Sequence, residues 1–210
     1  MYLTPLIRAI YRRIRTALEI RKYTPTTIAG YLRSFGATIG EGCFIVPTNL
    51  GTEPYLVKIG NHVAIADGVL FMTHDSGAWV LRDLVPDLQV FGPIVIEDNC
   101  LIGQRAILGP NIRIGPNSIV AAGSVVLSDV PPNTLVMGVP ARPFGSMERY
   151  RDKCLQRWVD QRPPGVQLAE NETWWEARKY SENRDRMRKH LLALFHDQLS
   201  GASVQAPGSK

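Results

Sequence analysis

Cysteine is scarce and scattered in this chain. Cys43, Cys100 and Cys154 are the only three in 210 residues, odd in number and without ligand spacing. That excludes a disulfide framework and a cysteine-built zinc site, and makes a reducing cytoplasm the expected compartment. Long apolar runs are missing too. No stretch approaches the roughly 18 residues of a membrane span, and no signal-peptide core precedes a small-residue cleavage site. Histidine is limited to four positions, His62, His74, His190 and His196. With 45% hydrophobic residues, 18 Gly and 15 Pro, the chain is neither collagen-like nor wholly disordered. One domain with an appendage is the expectation.

Net positive charge is absent from the middle of the chain. The net +5 comes from the flanks: residues 1–38 hold seven Lys/Arg against one Glu, and residues 144–210 hold twelve against nine Asp/Glu. Residues 39–143 hold five Lys/Arg against nine Asp/Glu. A nucleic-acid reader would carry basic residues interleaved with aromatics on its folded domain. None are there, so no nucleic-acid partner is expected.

What the middle does have is a repeat. An aliphatic residue returns every six positions at Ile96, Ile102, Leu108, Ile114, Val120 and Val126. The same register appears upstream in Ile39, Ile45, Ile59, Ile65 and Phe71. A period of six is neither a helical stripe nor a plain alternating strand. It suits a coil of short strands, each sending one bulky side chain inward. The third residue after each aliphatic supports this: Gly42, His62, Gly68, Asn99, Arg105, Asn111, Asn117 and Gly123. Seven of these eight are Gly, Asn or His, which visit positive φ most easily, as sharp corners require.

These runs, with Ala122-Gly123-Ser124-Val125-Val126, Asp129-Val130-Pro131-Pro132-Asn133 and Gly138-Val139-Pro140-Ala141-Arg142, resemble the hexapeptide-repeat acyltransferases. Among these the chain is most similar to the galactoside/maltose acetyltransferase-like O-acetyltransferases of cell-surface polysaccharide synthesis. The resemblance spans about residues 24–145. It implies a mainly β protein, a left-handed parallel β-helix of hexapeptide repeats, with N-terminal and C-terminal α-helices added here. It also implies a homotrimer with active sites at subunit interfaces. The expected organisation is a helical segment 1–38, a β-helix core 39–143, a helical cap 144–200 and a loose tail 201–210.

Two interruptions break the repeat. Ile45 and Ile59 are 14 apart, two more than twelve, and Phe71 and Ile96 are 25 apart, one more than 24. The second gap holds a polar and aromatic loop insertion, residues 74–93, of the kind in which functional groups usually reside. In the N-terminal flank, residues 3–20 place Leu3, Leu6, Ile7, Ile10, Ile14 and Leu18 on one helical face, with Arg8, Arg12, Arg13 and Arg15 elsewhere. Such a helix either packs on the coil or a neighbouring subunit, or lies on an anionic membrane as a peripheral contact. A second helix is expected from Thr24 as cap, with Pro25 first, to Gly36. Beyond the coil, Ser146 can cap a helix turning Met147, Tyr150, Leu155 and Trp158 inward, broken at Pro163-Pro164-Gly165. A last helix over about Thr173–Leu199 would turn Trp174, Met187, Leu191 and Leu194 inward.

Acetyl transfer to an alcohol needs a base near the hydroxyl, a bound thioester and donors for the developing oxyanion. His74 opens the long loop and matches the family's catalytic histidine; otherwise, third after Phe71, it is one more corner. His62, inside unbroken repeats, reads as a corner. For the acceptor, Asn49 and Glu53 fall near the family's sugar-binding polar residues. Asp75 could orient the imidazole or bind the acceptor, Trp79 could stack a sugar ring, and Arg82 could meet a phosphate or carboxylate. For acetyl-CoA as co-substrate, the matching positions are Gly103, Gln104, Ala122 and Ser124, with Ser128 and Arg142 near the nucleotide. Leu127-Ser128 departs from the family's usual Thr-Lys before Asp129, and Leu101 replaces a frequent Trp. No metal is expected: the coil holds only His62 and His74, 12 apart, where the related zinc carbonic anhydrases use three histidines. An amino-sugar N-acetyltransferase and a non-catalytic scaffold are the alternatives to an O-acetyltransferase acting on a sugar hydroxyl.

Overall fold

Every aliphatic of the six-residue series is buried beside its equivalents one turn away. The computed structural model describes residues 18–162 and 177–200, together with residues 7, 10, 14 and 15. The chain divides into two units, Met1–Tyr150 and Arg151–Lys210.

In the first unit, very short strands form three parallel sheets. Sheet A stacks β1 (Thr38–Ile39), β3 (Val57–Ile59), β6 (Ile94–Ile96) and β9 (Ile112–Ile114). Sheet B stacks β2 (Phe44–Ile45), β4 (Ala64–Ile65), β7 (Leu101–Ile102), β10 (Ile119–Val120) and β12 (Thr134–Met137). Sheet C stacks β5 (Leu70–Phe71), β8 (Ile107–Leu108) and β11 (Val125–Val126). Successive hexapeptides visit A, B and C in turn, so three of them complete one coil. The fold is a left-handed parallel β-helix. Its core is ladders of like side chains in register: Ile39, Ile59, Ile96 and Ile114 on A; Ile45, Ile65, Ile102, Val120 and Val136 on B; Phe71, Leu108 and Val126 on C. Burying each such side chain contributes about 1.5–3 kcal/mol.

All eight expected corners have positive φ, between 53° and 72°, Arg105 included. Its side chain lies over the Gly68 corner, where a Cβ would be 3.1 Å from Arg105 Cγ, so the neighbouring glycine leaves it room. The equivalent corner of three coils is laced by side chains, His62 Nδ1 to Asn99 Oδ1 at 2.7 Å and Asn99 Nδ2 to Asn117 Oδ1 at 2.8 Å. His62 is therefore a corner residue, as its place in the repeat implies.

The interruptions resolve differently. The 14-residue spacing is two sides of the coil plus two extra residues. The 25-residue spacing is a single side, because β5 and β6 lie on successive sheets. Six residues would suffice, so 19 are extruded as one loop rather than hidden repeats. Its neck is closed by Asp75 N–H to Val90 O (2.8 Å) and Gly92 N–H to Thr73 O (2.9 Å).

The flanks depart from expectation in detail. Helix α1 covers only Ala29–Arg33, not Pro25 onward, and Thr24 makes no cap bond. The hydroxyls of Thr24, Thr26 and Thr27 bond one another, and Thr27 Oγ1 accepts from Thr24 N–H, which favours a turn over a helix start. Within residues 3–20, residues 7, 10, 14, 15 and 18–20 are described and helical, and Ile7, Ile10, Ile14 and Leu18 are exposed. Leu3, Leu6, Arg8, Arg12 and Arg13 lie outside the described residues. At the other end, β13 (Arg142–Ser146) pairs antiparallel with β12, so a strand closes that edge of sheet B. Ser146 Oγ accepts from Arg149 N–H at 3.4 Å and caps α2 (Met147–Gln161). No residue of α2 is buried, which corrects the inward reading of Met147, Tyr150, Leu155 and Trp158. Charged residues surround that stripe on nearly every turn. In the second unit α3 (Ala177–Leu194) and α4 (His196–Leu199) replace one long helix. Trp174, Pro163–Gly165 and residues 201–210 fall outside the described residues.

Gly103 sits where a Cβ would lie 2.5 Å from Ala122 N and 2.8 Å from Val120 O, both backbone atoms that cannot yield. Gly103→Ala should lower stability by about 1–3 kcal/mol in thermal or urea denaturation. Gly145→Ala, with nothing within 4 Å of the added carbon, should leave it unchanged.

Candidate active site

Phe71 ends β5 pointing inward, Thr73 is buried again, and His74 emerges where the loop begins. His74 is not among the positive-φ residues, so the corner alternative fails at this position. It instead forms an antiparallel bridge with Phe91 across the loop neck, the two rings edge-on with centroids 6.3 Å apart. The loop has replaced the corner.

The first interruption delivers Glu53 to the same place. Leu50 is buried on the C side of the first coil, as Phe71 is in the next, and Gly51 fits so closely that a Cβ would lie 2.7 Å from Phe71 O. Glu53 is third after Leu50, and His74 is third after Phe71. Stacked coils therefore bring them together: His74 Nδ1 lies 3.0 Å from Glu53 Oε2. A carboxylate partner selects the tautomer in which Nδ1–H donates, which leaves the Nε2 lone pair available as a base. Thr52 Oγ1 donates to the same oxygen at 2.8 Å, and the buried Thr73 hydroxyl donates to it as well. The Thr73 bond, followed by those from His74 and Thr52, outweighs burial and lowers the Glu53 carboxyl to about 2. It stays ionised at neutral pH.

Glu53, expected among the acceptor contacts, is the group hydrogen-bonded to the imidazole. Asp75 does not perform that role; its Oδ1 accepts from Gly77 N–H at 2.8 Å and caps the 3₁₀ turn Ser76–Leu81. Asn49 Oδ1 is engaged with Gly51 N–H at 2.7 Å, and Asn49 lines a separate cavity with Tyr31 and Phe35. The signal for the Glu53–His74 pair was present in the repeat. It required recognising Leu50 as an inward residue although the spacing around it is irregular.

A cavity of about 490 Å³ opens in front of His74, with Glu53, Asp75, Trp79, Arg82 and Gln89 in its walls. The size suits a saccharide unit or two. Trp79 is 71% exposed, and the Arg82 guanidinium lies 5.1 Å from its ring centre. Arg82 Nε donates to Leu88 O at 3.2 Å and so clamps the loop.

The positions matched to acetyl-CoA do not gather around His74 within one chain. Gly103, Gln104, Ala122 and Ser124 lie at the corner leading from sheet B into sheet C, whereas His74 lies where sheet C leads into sheet A. Ser128 shares the His74 corner two coils along, and Arg142 is on β13. Ser124 is fully buried, with its hydroxyl accepting from Gly138 N–H at 3.3 Å, so its side chain serves the coil. Gln104, Ala122, Ser128 and Arg142 are exposed. Cys43 and Cys100 are core residues whose thiols burial pushes up, with Sγ–H aimed at Gly60 O and Gly115 O.

A model of the bacterial transferase hexapeptide (six repeats) matches residues 93–128, the segment from β6 to β11. The chain is 42% identical over 128 residues to protein CapG of Staphylococcus aureus, spanning 60% of this chain and 74% of that one. It is 37% identical over 112 residues to galactoside O-acetyltransferase of Escherichia coli, spanning 52% of this chain and about half, 54%, of the relative. Among solved structures, a hexapeptide-repeat-containing acetyltransferase from Vibrio cholerae is 29% identical, with a TM-score of 0.48 over 65% of this chain and 89% of that chain.

A carboxyl held at about 2 against an ordinary 4.5 stabilises the fold above about pH 4.5, and that contribution is lost as pH falls toward 2. Glu53→Gln should therefore have a lower Tm than the wild type at neutral pH. The gap should close between pH 4.5 and 2 when the two are denatured side by side.

Proposed function

Because this chain belongs to the hexapeptide-repeat transferase family, we propose that it moves an acetyl group from acetyl-CoA to a sugar hydroxyl, with His74 as general base. The observation that carries the reading is the Glu53–His74 pair, 3.0 Å apart, at the wall of a saccharide-sized cavity. Its O-acetyltransferase relative acts on galactosides by name, and an acceptor from polysaccharide biosynthesis fits both that relative and the open cavity.

In this reaction Nε2 of His74 takes the proton of the acceptor hydroxyl as its oxygen attacks the thioester carbonyl. The oxyanion collapses, the carbon–sulfur bond breaks, and the imidazolium returns the proton to the departing thiolate. The ester and free coenzyme A are the products, so protons balance within one cycle. Glu53 holds the Nδ1 proton and stabilises the imidazolium in between, the arrangement that lets one histidine serve as base and then acid. No covalent enzyme intermediate is needed, because the thiolate is already a good leaving group.

The working unit in this reading is a homotrimer. Outward residues along sheet B are Phe44, Ala64, Leu101, Ile119 and Leu135, and along sheet C they are Leu70, Ile107 and Val125. Along sheet A they are Thr38, Lys58, Val95 and Arg113. Two sides are apolar and one is polar, which suits packing around a shared axis with the third side in water. Threefold packing would also bring the Gly103–Ala122 corner of one subunit toward the His74 corner of another. The acetyl-CoA contacts and the base would then come from different chains, with Gln104, Ala122, Ser128 and Arg142 as the accessible contributors.

His74→Ala should lower kcat by about 10²–10⁴-fold, the usual contribution of a general base. The variant should keep its fold, since the His74 side chain is 38% exposed and not part of the core. Wild-type-like turnover in an acetyl-transfer assay would overturn the assignment. Sedimentation should give a mass of three chains, and coenzyme A should raise the Tm of the assembled protein.

A further inference from the structure

The cavity in front of His74 contains one Lys or Arg, Arg82, that the described residues leave without an acidic partner. From it we infer that the acceptor carries an anionic group, a carboxylate or a phosphate, gripped by Arg82. This rests on the transferase reading and names the class of its acceptor.

Arg82 follows the 3₁₀ turn Ser76–Leu81 and is half-buried in the cavity wall. Two contacts hold its guanidinium: Nε–H to Leu88 O at 3.2 Å, and the Trp79 ring 5.1 Å away. They use one of the five N–H donors of an arginine. Among the described residues no carboxylate lies within ion-pair distance of the rest. The two acids of the same wall are engaged elsewhere, Glu53 Oε2 with Thr52, Thr73 and His74, and Asp75 Oδ1 with Gly77 N–H.

If Arg82 were only a loop clamp, its single Nε bond would suffice and a neutral donor could supply it. The free Nη edge is the part that matches a carboxylate or phosphate in a two-point grip. Its location assigns the anion to the acceptor. The thioester must lie at His74, and the extended pantetheine arm carries the coenzyme A phosphates well away from it. Trp79, largely exposed, offers an apolar face on which the ring of the same saccharide can rest. Together they describe an acidic sugar or a sugar phosphate, oriented so that a hydroxyl meets Nε2.

The test uses the full chain with matched acceptors: a neutral oligosaccharide, its uronic acid counterpart and the corresponding sugar phosphate. Initial rates with acetyl-CoA and calorimetric binding without it are measured for the wild type, Arg82→Gln and Arg82→Lys. The wild type should prefer an anionic acceptor over the neutral one by about tenfold or more, as for one charge-assisted contact. Arg82→Gln should collapse that ratio through the acceptor KM, and Arg82→Lys should restore part of it. Whichever of the uronate and phosphate arms shows the ratio identifies the anion. A wild-type ratio near one overturns the inference. So does a uniform loss on every acceptor with the ratio kept, which marks a loop clamp, or a rise confined to the KM for acetyl-CoA. Failure of the transferase reading looks different. Anionic saccharides would still bind in an Arg82-dependent way while no acetyl group moved, leaving the subsite standing without that chemistry.

Discussion

In-register parallel stacking of the coils is the constraint on which everything else in this molecule depends. Each residue lies directly above its counterpart one coil away, so core ladders, corner ladders and the Glu53–His74 pair are the same geometry applied to different side chains. Ile59 over Ile96 makes core, and His62 beside Asn99 makes a corner lock. Glu53 beside His74 makes a hydrogen-bonded carboxylate–imidazole pair. The backbone hydrogen bonds between coils fix these relations rigidly, so the site needs little further support from loops.

The candidate site lies where the repeat is broken. Two extra residues in one coil free Glu53 and Thr52 from corner duty. Nineteen extra residues in the next turn the equivalent corner into a loop neck and place His74 on it. Three hydrogen bonds converge on one carboxylate oxygen and keep Glu53 charged at neutral pH, which favours the tautomer with the proton on Nδ1. The loop then supplies the cavity wall, with Trp79 and Arg82 bracing each other over the opening.

The same stacking also sets the size and burial of two residues matched to the family. Ser124 is sealed inside, and Gly103 is small because a neighbouring backbone occupies the space a side chain would fill. Small residues at coil corners meet a geometric demand before any ligand is considered. Residues that remain accessible at those corners, such as Gln104 and Ala122, are separated from His74 by the full width of sheet C.

Much of this was legible in the residues alone. The period of six, the inward aliphatics and all eight corners follow from local sequence, because a coil repeats one backbone conformation and each position meets the same steric demand every time. His74 was legible as well, since it opens the largest break in the pattern. The partner of His74 was not, because Leu50 sits in an irregular gap and its inward position, which puts Glu53 in line with His74, is decided only when coils stack. Nor did the helical flanks follow the pattern: Thr24 makes a turn through its neighbours' hydroxyls, and Arg142–Ser146 become a strand because β12 offers an open edge. Local periodicity determined the coil. Contacts between residues distant in sequence, which no periodicity encodes, decided which acid meets His74 and where Arg82 stands in the cavity wall.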